Sequence, residues 1–184
     1  MTEPFFARLA IIVEGPSERE ALPILLGLAG LNLDEEGISI VSAGGKTVLD
    51  TLVHLYAAHD IPTYVIFDND KNRAPEERAF NAVLCRLLNL IETDLPEAQV
   101  GARCAVLDGD WEQQVEKDLD AAQGAGFYSK LAGEARASLQ IKGNRNKPLI
   151  ARYVAERLRS LGLLPSFASE LANAIKLALP AQRA

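Results

Sequence analysis

Cysteine is scarce. Cys85 and Cys104 are the only two in 184 residues. That excludes a disulfide framework and matches a reduced, cytoplasmic chain. Cys85 falls inside a helical pattern and Cys104 inside a strand pattern, so both read as small buried apolar residues. Histidine is equally rare. His54 and His59 are five apart in one helical pattern, off a shared face, and neither reads as a ligand. No Ser/His/Asp or Cys/His constellation for nucleophilic catalysis emerges. No apolar run approaches about 18 residues, so no membrane span is expected. The start, Met1-Thr-Glu-Pro-Phe-Phe6, has no basic stretch and does not read as a signal peptide. A basic excess is also missing. The formal charge is −6 and the pI is about 5.0. This weighs against a nucleic-acid binder of the usual basic kind. A carboxylate metal site is compatible with it, because bound cations neutralise the acids.

What is present is an ordinary globular composition, 48% hydrophobic and 24% charged, in a chain long enough to bury a core of its own. The first hundred residues alternate strand and helix patterns. Strands are expected at about 8–13, at Ile38-Ser-Ile-Val-Ser42, at 63–67 and at Ala102-Arg-Cys-Ala-Val-Leu107. Helices are expected from Pro16 to about Leu28, from Thr47 to about Ala58 and from Glu76 to about Ile91. Pro16 suits the first helical position, and acids follow it in the first turn. Strands separated by helices of this length imply parallel crossovers and a four-stranded sheet covered on both faces. After Asp108 the pattern turns helical: 111–120, 127–139, 147–161 and 166–178. The expected organisation is an α/β core over 1–108 and a helical C-terminal part over 109–184, packed on that core.

Two apolar, β-branched runs stop abruptly at carboxylates. Leu9-Ala-Ile-Ile-Val13 ends at Glu14, and Thr63-Tyr-Val-Ile-Phe67 ends at Asp68-Asn-Asp70. Open α/β sheets place their chemistry at the carboxyl ends of such strands. Glu18 follows Glu14 by four residues and can face the same pocket if the turn is tight. Asp68 and Asp70 project to one side if extended geometry persists. Carboxylates gathered at about 4 Å repel by roughly 4 kcal/mol per pair at an effective dielectric near 20. Either they point apart, or a metal or protons relieve them. Hard cations such as Mg²⁺ take oxygen ligands of this kind. Each pair also has a bland reading: acids in a first helical turn meet the helix dipole, and Asp-Asn-Asp is a common polar turn. Both pairs in one βαβαβ pattern favour the metal.

Three further features bear on this edge. Ser42-Ala-Gly-Gly-Lys46 ends the second strand and opens a helix, as a helix-start turn or as a contact for phosphate or metal-bound water. The tail Gly45-Lys46-Thr47 is not a P-loop, because the position five residues before Gly45 is Ile40. Lys142-Gly-Asn-Arg-Asn-Lys-Pro148 is a basic loop, in a late cluster with Arg152, Arg157 and Arg159. A lysine there can stabilise charge developing on a scissile phosphate. Glu112, just after Trp111, is a further candidate ligand or a surface acid of an early helical turn.

Taken together, these residues resemble the TOPRIM fold of topoisomerases, primases and certain nucleases. The closer resemblance is to the overcoming lysogenization defect (OLD) family of nucleases. Its C-terminal TOPRIM region carries E-x3-E, seen as Glu14-Gly-Pro-Ser-Glu18, and S-x-G, seen as Ser42-Ala-Gly44. A D-x-D follows, seen as Asp68-Asn-Asp70, and then a late Lys-Pro, seen as Lys147-Pro148. The order is right, and the match spans about 8–150. The resemblance implies a metal-dependent DNA endonuclease using two Mg²⁺ or Mn²⁺ ions. It implies Glu14, Asp68 and Asp70 as core ligands, Glu18 as a ligand of a second metal, and Lys147 as transition-state stabiliser. Ser42 and Glu112 are added as candidate metal-site residues. Members of the family bear an N-terminal ABC-type ATPase. No Walker A is present and the first strand begins near Met1, so the expectation is the nuclease region alone, with no ATP site.

The rivals are another TOPRIM activity, primase-like or topoisomerase-like, and a metal-binding regulatory module without catalysis. Tyr56, Tyr64, Tyr128 and Tyr153 have no context that marks a topoisomerase nucleophile. A receiver-like α/β domain also clusters acids at strand ends, but its first strand usually ends in paired acids rather than Glu-Gly-Pro.

Overall fold

The computed structural model describes residues 3–142 and 146–181. A five-stranded sheet lies between two layers of helix. Its strands are β1 (Leu9–Val13), β2 (Ile38–Ser42), β3 (Thr63–Asp68), β4 (Gln99–Val100) and β5 (Cys104–Leu107), in the order β2-β1-β3-β5-β4. The first three and β5 run parallel, and β4 is a short antiparallel edge beside β5. The sheet thus has one strand more than the four expected. Two residues, one of them exposed, give β4 no period-2 pattern to read.

The helices are α1 (Pro16–Leu28), α2 (Leu49–Ala57), α3 (Pro75–Arg78), α4 (Phe80–Leu87), α5 (Trp111–Gln123), α6 (Phe127–Ser138), α7 (Lys147–Leu161) and α8 (Ser166–Ala178). Two boundaries differ from expectation. The helix foreseen over 76–91 is broken into α3 and α4 at Ala79, and Asn89 at φ 59° closes it early. The helix foreseen from Thr47 begins as a 3₁₀ turn over Lys46–Val48, and α2 proper starts at Leu49.

Side-chain alternation sorts the strands between two cores. Leu9, Ile11, Val13, Tyr64 and Ile66 face a cluster built with α1 and α5–α8. Ala10, Ile12, Val65 and Phe67 face a smaller one built with α2 and α4. Every residue of β1 is therefore buried, which is why the run is continuously apolar rather than alternating. Helices α5–α8 share their core with α1 and the sheet, and α7 packs along α1. That contact brings the start of α7 to the sheet edge where the acids lie. Among the described residues, no helix is long and apolar enough to cross a membrane.

Candidate metal and phosphate site

The register sets up the site. Val13 pairs with Ser42 on one side and Ile66 on the other, while Asp68 pairs with Leu107. The carboxyl ends of β1, β2, β3 and β5 therefore lie at one edge. Glu14 leaves the sheet beside β3, and its carboxylate accepts the Asp68 backbone N–H at 3.4 Å. By strand alternation Asp68 falls on the face of Tyr64 and Ile66, the face covered by α1, and Glu18 stands in the first turn of that helix.

Gly15 lets Glu18 fold back over the turn. A Cβ added at Gly15 would meet Glu18 Oε2 at 3.0 Å. Glu18 is only 3% exposed. Burial, and then the nearby charges of Glu14 and Glu112, push its carboxyl up to about 7, although the backbone N–H groups of Glu18 and Gly15 partly hold it down. Burial also raises Glu14, against the attraction of Lys46. Asp68 is raised well above the carboxylate range by burial and then by Glu14 and Glu18. Its Oδ1 is buried and has no hydrogen-bond partner among the described residues. An orphaned carboxylate oxygen at this depth needs a proton or a cation.

Asp70 arrives differently from expectation. The strand ends at Asp68, and Asp70 adopts a left-handed φ of 53°. Extended geometry does not persist through Asp68-Asn69-Asp70. The middle residue is what holds the turn. Asn69 Oδ1 accepts from the backbone N–H of Gly109 at 2.8 Å and of Lys71 at 3.1 Å. Its amide donates to the Pro96 carbonyl at 3.3 Å, and its own carbonyl accepts from Asn81 Nδ2 at 2.9 Å. Buried Asn69 thus ties β3 to the loop after β5, and the turn points Asp70 at Lys46.

Lys46 is the residue sequence reasoning missed. Its side chain is 8% exposed; Nζ pairs with Asp70 Oδ2 and lies 3.6 Å from Glu14 Oε2. It also donates to the Asp68 carbonyl oxygen at 2.6 Å. The available signal was its place after Gly44-Gly45 at the end of β2, the neighbour of β1. Gly44 at φ 76° and Gly45 at φ 155° turn the chain so that Lys46 enters the cluster.

The other expected residues divide. Glu112 is pulled to the far flank of Glu18: its carboxylate accepts from Ser17 Oγ at 3.3 Å and from Lys147 Nζ at 3.0 Å. Lys147 lies at the start of α7 and is half-exposed. Burial opposes its charge, but the Glu112 carboxylate outweighs this and raises it. Glu112, Tyr128, Arg136, Lys147 and Ile150 line a cleft beside the acids. Ser42 stands at the right sheet edge, but its hydroxyl accepts from the Gly44 N–H at 3.3 Å. Part of the basic loop, including Arg145, lies outside the described residues. Two of the tyrosines are committed elsewhere, Tyr64 donating to the Gly101 carbonyl and Tyr56 sitting in the smaller core, whereas Tyr128 lines that cleft.

Among the described residues, no three acidic, histidine or cysteine side chains stand as a ready metal cage. The donor set is nonetheless that of a hard divalent cation, all carboxylate oxygen, with Asp68 Oδ1 left without a partner. The residues fit such an ion chemically, and its binding would draw Glu18 and Asp68 together.

Comparison with known proteins shows what the chain is similar to. Residues 5–70 match the TOPRIM domain of overcoming lysogenization defect protein-like proteins. This segment is similar to an OLD-like TOPRIM domain. The chain is 37% identical over 79 residues to the OLD nuclease of Thermus scotoductus; the matched stretch is 41% of this chain and 15% of that protein. The C-terminal region of the Xanthomonas campestris pv. campestris OLD protein superposes with a TM-score of 0.63 at 19% identity, covering 95% of this chain and 97% of that one. The C-terminal region of the Burkholderia pseudomallei OLD protein gives 0.61 at 20% identity, covering 95% and 100%. At such identities these two structures speak for the fold alone. The OLD-like TOPRIM segment supplies β1, α1, β2, α2 and β3, and with them Glu14, Glu18, Lys46, Asp68 and Asp70.

Proposed function

We propose that this chain is a divalent-metal-dependent endonuclease domain that hydrolyses DNA phosphodiesters. The observation that carries the reading is the orphaned, buried Asp68 oxygen amid Glu14 and Glu18, at the carboxyl edge of an OLD-like TOPRIM sheet. Glu14, Glu18, Asp68 and Asp70 would hold Mg²⁺ or Mn²⁺, for which the family resemblance implies two ions. Bound there, the metal supplies an activated water and neutralises charge on the scissile phosphate. The chain's own residues do the rest. Glu18, whose carboxyl burial pushes up to about 7, would give up its proton on taking up the ion. Lys147 presents a half-exposed ammonium beside Glu112 in the neighbouring cleft and, with Arg136, would draw the phosphate backbone into an otherwise acidic region. Glu112 is a positioning residue for Lys147, rather than a ligand, on the evidence of their 3.0 Å pair. An N-terminal ABC-type ATPase partner belongs to the same reading, as does a cytoplasmic setting, where buried Cys85 and Cys104 stay reduced.

The test is nicking of supercoiled plasmid with Mg²⁺ or Mn²⁺, comparing wild type with Asp68→Ala and Lys147→Ala. Loss of nicking in both variants, with wild-type cleavage abolished by EDTA, is expected. Equal activity in all three proteins would overturn the assignment. A second reading, a metal-binding regulatory module, is favoured by the ammonium seated where a catalytic ion is wanted. Metal binding without cleavage on any DNA form would select it.

A further inference from the structure

Lysine is almost never buried unless paired. Lys46 is buried and has three partners: the Asp70 carboxylate, the Glu14 carboxylate at 3.6 Å and the Asp68 carbonyl oxygen at 2.6 Å. Two carboxylates and a backbone carbonyl are the hard oxygen donors a divalent ion takes. The two glycines before Lys46 and the left-handed turn at Asp70 converge on this one contact. The acids on the other side of the cluster are not so served. Lys46 attracts the Asp68 carboxylate without an ion pair to it, and among the described residues Asp68 Oδ1 has no hydrogen-bond partner, while Glu14 and Glu112 press on Glu18. The cluster is thus asymmetric: one side is filled by the chain's own ammonium, and the other is left to an external ion.

We propose that Lys46 occupies one cation position of this cluster, so that the native chain takes one divalent ion, on the Glu18–Asp68 side, and not two. The inference rests on the reading of the site as a divalent-metal site, and it sharpens that reading's ion count. An ammonium cannot coordinate as a metal does, but it supplies a positive charge that needs no loading. It holds Glu14 and Asp70 against mutual repulsion and fixes the Asp68 backbone. Lys46 is in this sense a positioning residue that sets stoichiometry.

The experiment counts ions without reference to cleavage. Metal-free protein is titrated with Mn²⁺, and free ion is followed by its electron paramagnetic resonance signal, per folded chain as judged by circular dichroism. Wild type is compared with Lys46→Met, which keeps the aliphatic stem, and Lys46→Gln, which keeps a donor for the Asp68 carbonyl. Lys46→Arg, with the charge retained, is expected to match wild type. The expected result is one Mn²⁺ for wild type and two for either neutral variant that folds. The same count in wild type and the neutral variants would overturn the proposal, as would two ions in wild type, and both leave the metal-site reading standing. No binding by any protein would overturn the metal-site reading itself. No binding by wild type with one ion in the neutral variants would support occupancy by Lys46 and refute a native metal.

Discussion

Glu18→Gln should stabilise the metal-free protein at alkaline pH and do little at acid pH. The carboxyl moves from an ordinary 4.5 to about 7 on folding, chiefly because α1 buries it against the sheet edge. A raised folded value means that the folded state binds the proton more tightly than the unfolded state does. Stability is therefore fully present below the unfolded value and lost as pH rises from about 4.5 through about 7. A shift of that size corresponds to about 3 kcal/mol by pH 8, at roughly 1.4 kcal/mol per unit. A neutral glutamine of the same shape escapes the loss. For a chain of this length, 1 kcal/mol moves Tm by roughly 2–4 °C. Glu18→Gln should then melt about 6–12 °C higher than wild type at pH 8 in EDTA, and within a few degrees of it at pH 5. Mn²⁺ should reverse the order, since only wild type offers the charged carboxylate. Thermal melts at both pH values, with and without Mn²⁺, check this. An EDTA difference that is equal at pH 5 and pH 8 would refute the argument, because the effect would then be packing rather than charge.

Two further substitutions probe how the site is held. Asn69→Ala removes the acceptor of the Gly109 and Lys71 backbone N–H groups and the donor to the Pro96 carbonyl. Two of these bonds, to Gly109 and Pro96, are buried, and leaving such groups unpaired costs about 1–3 kcal/mol each, so urea unfolding should show a loss of about 2–6 kcal/mol. A loss below about 1 kcal/mol would mean that the turn at Asp70 is held by something else. Gly15→Ala places a Cβ at 3.0 Å from Glu18 Oε2, at an extended φ of −129° that alanine adopts freely. The fold should persist with little change in Tm while Mn²⁺ affinity falls, which calorimetric titration reads. Unchanged affinity would detach Glu18 from the metal.

The strands and the acids were legible in the sequence because each answers to a local rule. A strand buried on both faces must be apolar throughout, so β1 and β3 announce themselves, and the carboxylates that end them stand out by contrast. The order Glu14, Glu18, Asp68, Asp70 carried the fold family for the same reason. What local rules do not contain is the direction in which a turn delivers its side chain. Lys46 looked like the opening of a helix, and only the pairing of β2 with β1 makes it the neighbour of Glu14. Asp70 looked like the partner of Asp68 on an extended strand, and only Asn69, bonded to residues 27 and 40 positions away, turns it toward Lys46. Glu112 and Lys147 were each foreseen as acting on the substrate or the metal. Their meeting depends on α7 lying along α1, a packing decided by apolar residues far from the site. The candidate chemistry was thus readable as a list of charges. Which charge faces which, and therefore how many ions the cluster still lacks, is a property of the sheet register and the two turns that close it.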